Sequence, residues 1–136
     1  MKLGAKIDAA VHEAGKDNLT GDQLSELFTS IATMGYFMSG EVGKLHRTFL
    51  NAEAERKRHA AKAVIQLTAD GKTSNAKAVA TMESGDEYWN LKMAEVEAEA
   101  EYQAMRLKLD SCKGVLNSLQ MRIAMLRDEM SRTKTS

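Results

Sequence analysis

Apolar residues recur at intervals of three and four along most of the chain, and this spacing predicts α-helices. The first such segment covers residues 5–14 and stops at Gly15. The second follows Thr20 and Gln23, which have the spacing of a capping box, an arrangement in which each side chain bonds the backbone N–H of the other residue. Two short helices are therefore expected within residues 1–40.

The middle of the chain predicts a break followed by a longer helix. Residues 35–43 hold three glycines among large apolar residues, which favours a break or kink. A helix is expected from about Val42 to Ala69, ending at the turn signal Asp70-Gly71. A short loop beginning at Lys72 and a brief helix over about 75–83 complete the connection.

The strongest pattern lies in the last third of the chain. Ser84 and Glu87 form another possible capping box. Steps of three and four residues from Tyr88 to Met130 then trace an apolar seam that only Glu95 interrupts. Its members are Tyr88, Leu91, Glu95, Ala98, Tyr102, Met105, Leu109, Cys112, Leu116, Leu119, Ile123, Leu126 and Met130.

A helix of about 43 residues would be roughly 64 Å long, more than a compact domain of this size can cover. We therefore predict an all-α, oligomeric fold. Short N-terminal helices (1–40) precede a long antiparallel helical hairpin (41–136), whose C-terminal helix resembles a coiled coil. The chain has no proline, which suits long helices. Seven residues are assigned to oligomerisation: Leu109, Cys112, Leu116, Leu119, Ile123, Leu126 and Met130.

The net charge is zero, but the charges are unevenly distributed. Residues 44–77 carry eight Lys/Arg and three Asp/Glu, whereas residues 82–101 carry one and seven. On a helix, Arg58 and Lys62 are neighbours and can contact successive phosphates. The alternative is that the basic segment pairs with the acidic run from Glu95 to Glu101 across the hairpin. The candidate DNA-binding residues are Arg56, Lys57, Arg58, Lys62 and Lys72.

Other candidate chemistry is sparse. Tyr88 and Tyr102 lie on the apolar seam and are expected to pack in the core, which leaves Trp89 as a possible platform for base stacking. Cys112, also on the seam, is expected to be an inert hydrophobe. The histidines show no metal-ligand spacing, and no catalytic motif is present. We therefore expect no enzyme activity, no cofactor and no metal.

The chain lacks an apolar run long enough to span a bilayer, and its N-terminus mixes charges into the apolar positions that a signal peptide would need. The single cysteine favours a reducing compartment. These features predict a protein that stays in the cytoplasm and has no membrane partner.

Two segments resemble the phage recombination mediator family typified by UvsY. Residues 109–122 (LDSCKGVLNSLQMR) are similar to that family's Cys-x-Gly-x-Leu-x-x-aliphatic-x-x-Arg helix. Residues 52–63 (AEAERKRHAAKA) are similar to its Glu-Ala-x-Lys-Lys-rich helix, which a glycine-containing turn follows, as Gly71 does here. The family's DNA-binding basic pair falls on Lys62 and Val64, so this chain retains only one of the two charges.

The resemblance implies a homo-oligomeric ring in a phage-infected bacterial cell. Such a ring would bind single-stranded DNA and help a RecA-like recombinase displace single-strand-binding protein during DNA recombination and repair. It would also give Gly114 a role in the close approach of a neighbouring helix, although a tolerated surface glycine explains it equally well. The alternative function is a non-enzymatic interaction module, such as a phage inhibitor or scaffold, that acts through its acidic face.

Overall fold

The computed structural model describes residues 2–135, which form four helices and no strand. These are α1 (Leu3–Ala14), α2 (Gly21–Thr68), α3 (Asn75–Glu83) and α4 (Asp86–Thr135). The prediction of an all-α fold is confirmed. α1 and α3 match the predicted short helices closely, and α4 matches the long C-terminal helix.

The predicted break at residues 35–43 is wrong, because α2 runs without interruption for 48 residues. Glycine costs about 1 kcal/mol relative to alanine inside a helix, and this cost was the basis of the prediction. Leu24, Ile31 and Met38, seven residues apart, are all buried in one core. Tertiary packing before and between the glycines therefore outweighs their low helix propensity.

The helix ends confirm two sequence signals and correct a third. Thr20 and Gln23 form the capping box, with N···O distances of 2.9 and 3.2 Å. Gly71 has a positive φ of 70°, as a helix-terminating glycine requires. Ser84 does not cap α4. It ends α3 instead, and its hydroxyl donates a hydrogen bond to the carbonyl oxygen of Thr81 at 2.9 Å.

The chain divides into two compact units. The terminal unit combines the residues up to Val42 with those from Ala104 onward, and the central unit spans Gly43–Gln103. The predicted organisation, 1–40 and 41–136, stays a prediction. Both long helices, α2 and α4, contribute residues to both units.

The core of the terminal unit is built by α1, the first half of α2 and the second half of α4. Its fully buried side chains are Ile7, Leu24, Ile31, Met38, Cys112 and Leu119. Arg122 fastens the end of α1 to α4, since its guanidinium donates to the carbonyl oxygens of Ala14 at 2.7 Å and Lys16 at 2.8 Å. Arg122 thereby provides a donor for the Ala14 carbonyl group, which the end of α1 leaves unpaired.

The central unit pairs the second half of α2 with the first half of α4. His46 stacks on Tyr102 with ring centroids 4.7 Å apart, Arg56 meets Glu95, and His59 lies 3.6 Å from Glu87. Residue numbers rise along α2 as they fall along α4, so the contacts follow an antiparallel order. α3 contributes the buried Ala78 and Met82.

Candidate nucleic-acid interface

Arg56, a predicted DNA-binding residue, points into the central unit. Its guanidinium donates to both carboxylate oxygens of Glu95, and the Nη2–Oε1 distance is 3.4 Å. Glu95 is only 6% exposed and is the one buried charged residue in the described chain. The hydrogen bond from Arg56 lowers the pKa of the Glu95 carboxyl, and the same bond raises the pKa of Arg56. Arg56 is therefore engaged within the protein.

The predicted pairing of the basic segment with the acidic run holds for one residue of that run. Glu95 binds Arg56 and has Lys92 at 3.9 Å, whereas the three glutamates that follow at alternate positions are exposed. Lys57 is exposed and lies 3.1 Å from Glu53 on its own helix. Charge therefore remains on the surfaces of both helices.

Basic side chains share one exposed face of α2 in the central unit. Arg47, Arg58 and Lys62 are all exposed, with Asn51 between the first two. At 100° per residue these four positions fall within about 60° of the helix circumference. We call them the basic stripe. Glu55 borders the stripe and is the acidic residue nearest to it on this face.

The structure places the predicted DNA-binding residues in different surroundings. Arg58 and Lys62 lie together on the basic stripe, Arg56 faces inward, and Lys72 is exposed in the turn before α3. Arg47 was missed because it lies eleven residues before Arg58, outside the basic cluster. Eleven residues are close to three full turns, so helical periodicity extended beyond the cluster would have identified it.

Val64, which stands where the resembled family carries a basic residue, is half-buried. Its carbonyl oxygen accepts a hydrogen bond from the Thr68 hydroxyl at 2.8 Å. A basic side chain at this position would have to leave a partly covered site.

The aromatic residues are placed as the sequence predicts. Tyr102 is half-buried and stacks on His46 and Phe49, with centroid distances of 4.7 and 6.3 Å. Tyr88 is also half-buried. Trp89 is 60% exposed and is the free aromatic ring of the central unit. Its neighbours on α4 include the exposed apolar Met93 and Val96.

The residues assigned to oligomerisation lie mostly inside the terminal unit. Cys112 and Leu119 are fully buried there, and Leu109, Leu116, Ile123 and Leu126 pack against the same core. Only Met130 is largely exposed, at 61%. The chain's own α1 and α2 cover this part of the seam, so a second chain is not needed to bury it. The assignment of these residues to assembly stays a prediction, and six of the seven contribute to the core of their own chain.

α4 has an exposed apolar face in the terminal unit. Leu107, Met121 and Met125 are exposed there, and Gly114 lies on the same face. Apart from the adjoining residues and local backbone of α4, no described atom lies within 4 Å of the position that a Cβ on Gly114 would occupy. No other helix of the described chain therefore approaches Gly114 closely.

Within residues 2–135, no group of three or more His, Cys, Asp or Glu side chains is arranged to hold a metal ion. No helix in this range is long and apolar enough to cross a membrane. Comparisons of the chain with protein-family models, curated proteins and solved structures give no match.

Proposed function

We propose that this chain is a non-enzymatic single-stranded DNA-binding protein and that the basic stripe is its DNA-contacting surface. The observation that supports this proposal is the alignment of Arg47, Arg58 and Lys62 on one exposed helix face. Cations on one face can follow a flexible phosphate backbone, whereas cations scattered around a helix cannot. The proposed interface includes Arg47 and leaves out Arg56, because Arg56 is bound to Glu95.

The wider role that we propose is recombination mediation. It rests on the family resemblance of residues 52–63 and 109–122. In this role several copies of the chain would bind one DNA strand side by side, each through its own basic stripe. The protein would help a RecA-like recombinase replace single-strand-binding protein.

A titration of a fluorescent single-stranded oligonucleotide by anisotropy at several salt concentrations tests DNA binding. Three phosphate contacts per protomer predict that log K falls with log salt with a slope of about −2. The double variant Arg58→Ala/Lys62→Ala should bind roughly tenfold more weakly or worse, with a slope closer to about −0.7.

The matched control is Lys113→Ala, which removes an exposed lysine of the terminal unit. It should bind as the wild type does. The absence of binding at low salt, or equal losses in the control and in the double variant, would contradict the proposed interface.

A second candidate function is a protein-interaction module that acts through acidic residues of α4. Glu97, Glu99 and Glu101 are exposed, which favours it. The two functions differ in the titration, because a module of this kind would not bind DNA. It would instead lose its protein partner when these glutamates are replaced by glutamine.

A further inference from the structure

The central unit carries an acidic stripe on α4 whose spacing equals that of the basic stripe on α2. Its members are Asp86, Asn90, Glu97 and Glu101, and all four are exposed. Their separations of four, seven and four residues are those of Arg47, Asn51, Arg58 and Lys62. Equal spacing on two helices means equal rise and equal angular position, so the stripes match along about 22 Å.

The charges on the two stripes are complementary. With an offset of 39 residues and the helices parallel, Arg47 faces Asp86, Arg58 faces Glu97, and Lys62 faces Glu101. The remaining position sets Asn51 against Asn90, whose amides can donate to and accept from each other. An antiparallel alignment keeps only two opposite-charge pairs and places each asparagine opposite a charged residue, so the parallel register is favoured.

The two stripes of one chain do not meet each other. Arg56 faces Glu95 inside the unit, and Arg58 lies two residues further on, about 200° around the helix. Glu97 is separated from Glu95 by the same angle on α4. Both stripes therefore face away from the contact between α2 and α4, which agrees with the exposure of all eight residues.

We propose that the basic stripe of one copy binds the acidic stripe of a second copy, and that single-stranded DNA and the second copy exclude each other at this surface. The contact joins two different surfaces, so repeating it produces a ring or an open chain of subunits. Exposed ion pairs are individually weak, and several pairs in one register are needed for a measurable effect. The acidic stripe thus occupies the positions that DNA phosphates would take. The DNA part of this inference rests on the proposed function, whereas the self-association does not.

Sedimentation velocity of the full chain at high protein concentration tests the self-association. The average mass should fall as ionic strength rises from about 0.01 M to about 1 M, because the screening length shrinks from about 30 Å to about 3 Å. A mass that does not change over this range would overturn the proposal without any variant.

Charge reversal tests the two stripes individually. Arg58→Glu/Lys62→Glu makes both stripes acidic, and Glu97→Lys/Glu101→Lys makes both basic, so each variant alone should associate roughly tenfold more weakly than the wild type. An equimolar mixture should recover the wild-type mass, because each variant then offers the opposite charge to the other. Circular dichroism checks that both variants keep their helix content. Wild-type association by either variant alone, or a mixture that fails to associate, would refute the contact.

DNA separates this inference from the proposed function. A single-stranded oligonucleotide should dissociate wild-type assemblies, and Glu97→Lys/Glu101→Lys should still bind the oligonucleotide. Salt-dependent self-association without DNA binding would contradict the proposed function and support the contact between copies. DNA binding by a chain that never self-associates would support the proposed function and contradict the contact. DNA binding without any loss of assembly mass would overturn the mutual exclusion.

Discussion

Arg56 on α2 binds Glu95 on α4, and Glu95 is the residue that interrupts the apolar seam of α4. The interruption thus has a partner on the facing helix, so the buried charge is neutralised and hydrogen-bonded. Buried charges are tolerated in proteins under this condition. The pair also fixes which residues of the two helices face each other, because a shift by one turn would separate the two charges.

Removing one member of this pair should destabilise the chain, whereas replacing both members should not. Glu95→Leu leaves the Arg56 guanidinium unpaired, at a cost of about 1–3 kcal/mol. In Arg56→Leu/Glu95→Leu the seam becomes continuous and stability should return to the wild-type level or exceed it. Thermal unfolding followed by circular dichroism measures both changes. Glu99→Leu, at an exposed position of the same helix, is the control and should change little. A double variant less stable than either single variant would contradict this account.

The same pair predicts an acid-sensitive contribution to stability. The hydrogen bond from Arg56 lowers the pKa of Glu95 in the folded chain relative to the unfolded chain. The resulting stabilisation is complete above the ordinary carboxyl pKa of about 4.3, and it is lost as the pH falls through the lower pKa of the folded state. Chemical denaturation between neutral and acidic pH should show a steeper loss for the wild type than for Arg56→Leu/Glu95→Leu. Parallel curves for the two proteins would contradict the prediction.

Two glycines should respond oppositely to replacement by alanine. Gly71 has a φ of 70°, a conformation that side-chain-bearing residues rarely adopt, so Gly71→Ala should cost about 1 kcal/mol. Gly114 lies inside α4 with open space around it, so Gly114→Ala should raise the free energy of unfolding by about 1 kcal/mol. Melting temperatures measured at low protein concentration check both signs. A loss of stability in Gly114→Ala would indicate that another helix approaches this glycine closely.

Cys112 should resist thiol reagents in the folded protein. Its side chain is fully buried, and burial raises the pKa of the thiol, with the charge of Asp8 adding to the effect. Both effects reduce the amount of reactive thiolate at neutral pH. Alkylation followed by mass spectrometry should therefore be much slower in buffer than in denaturant. Rapid modification of the folded chain would contradict the burial of Cys112 in the core.

Much of the helical structure was predictable because its signals are local. The capping box at Thr20 and Gln23, the turn at Gly71 and the helix at 75–83 all depend on residues within a few positions of one another. Such signals act through the same backbone groups in any context. Ser84 shows their limit, since it satisfied the spacing of a capping box but ended α3 instead of beginning α4.

The partners of each helix face were not predictable from local signals. The glycines near residue 40 suggested a break, but the buried Ile31 and Met38 hold α2 continuous. Periodicity identified the apolar seam of α4 without identifying what covers it. The structure covers its second half with α1 and the first half of α2, and Cys112 and Leu119 are buried there.

From the sequence alone one can predict that the chain is helical, where most of its helices begin and end, and that its basic and acidic residues are separated. These properties follow from backbone propensities and from a period of 3.6 residues, both of which act over short distances. The contact between Arg56 and Glu95 depends on tertiary packing, and so does the exposure of Arg47, Arg58 and Lys62. This is because the side of a helix that becomes buried depends on which distant segment packs against it.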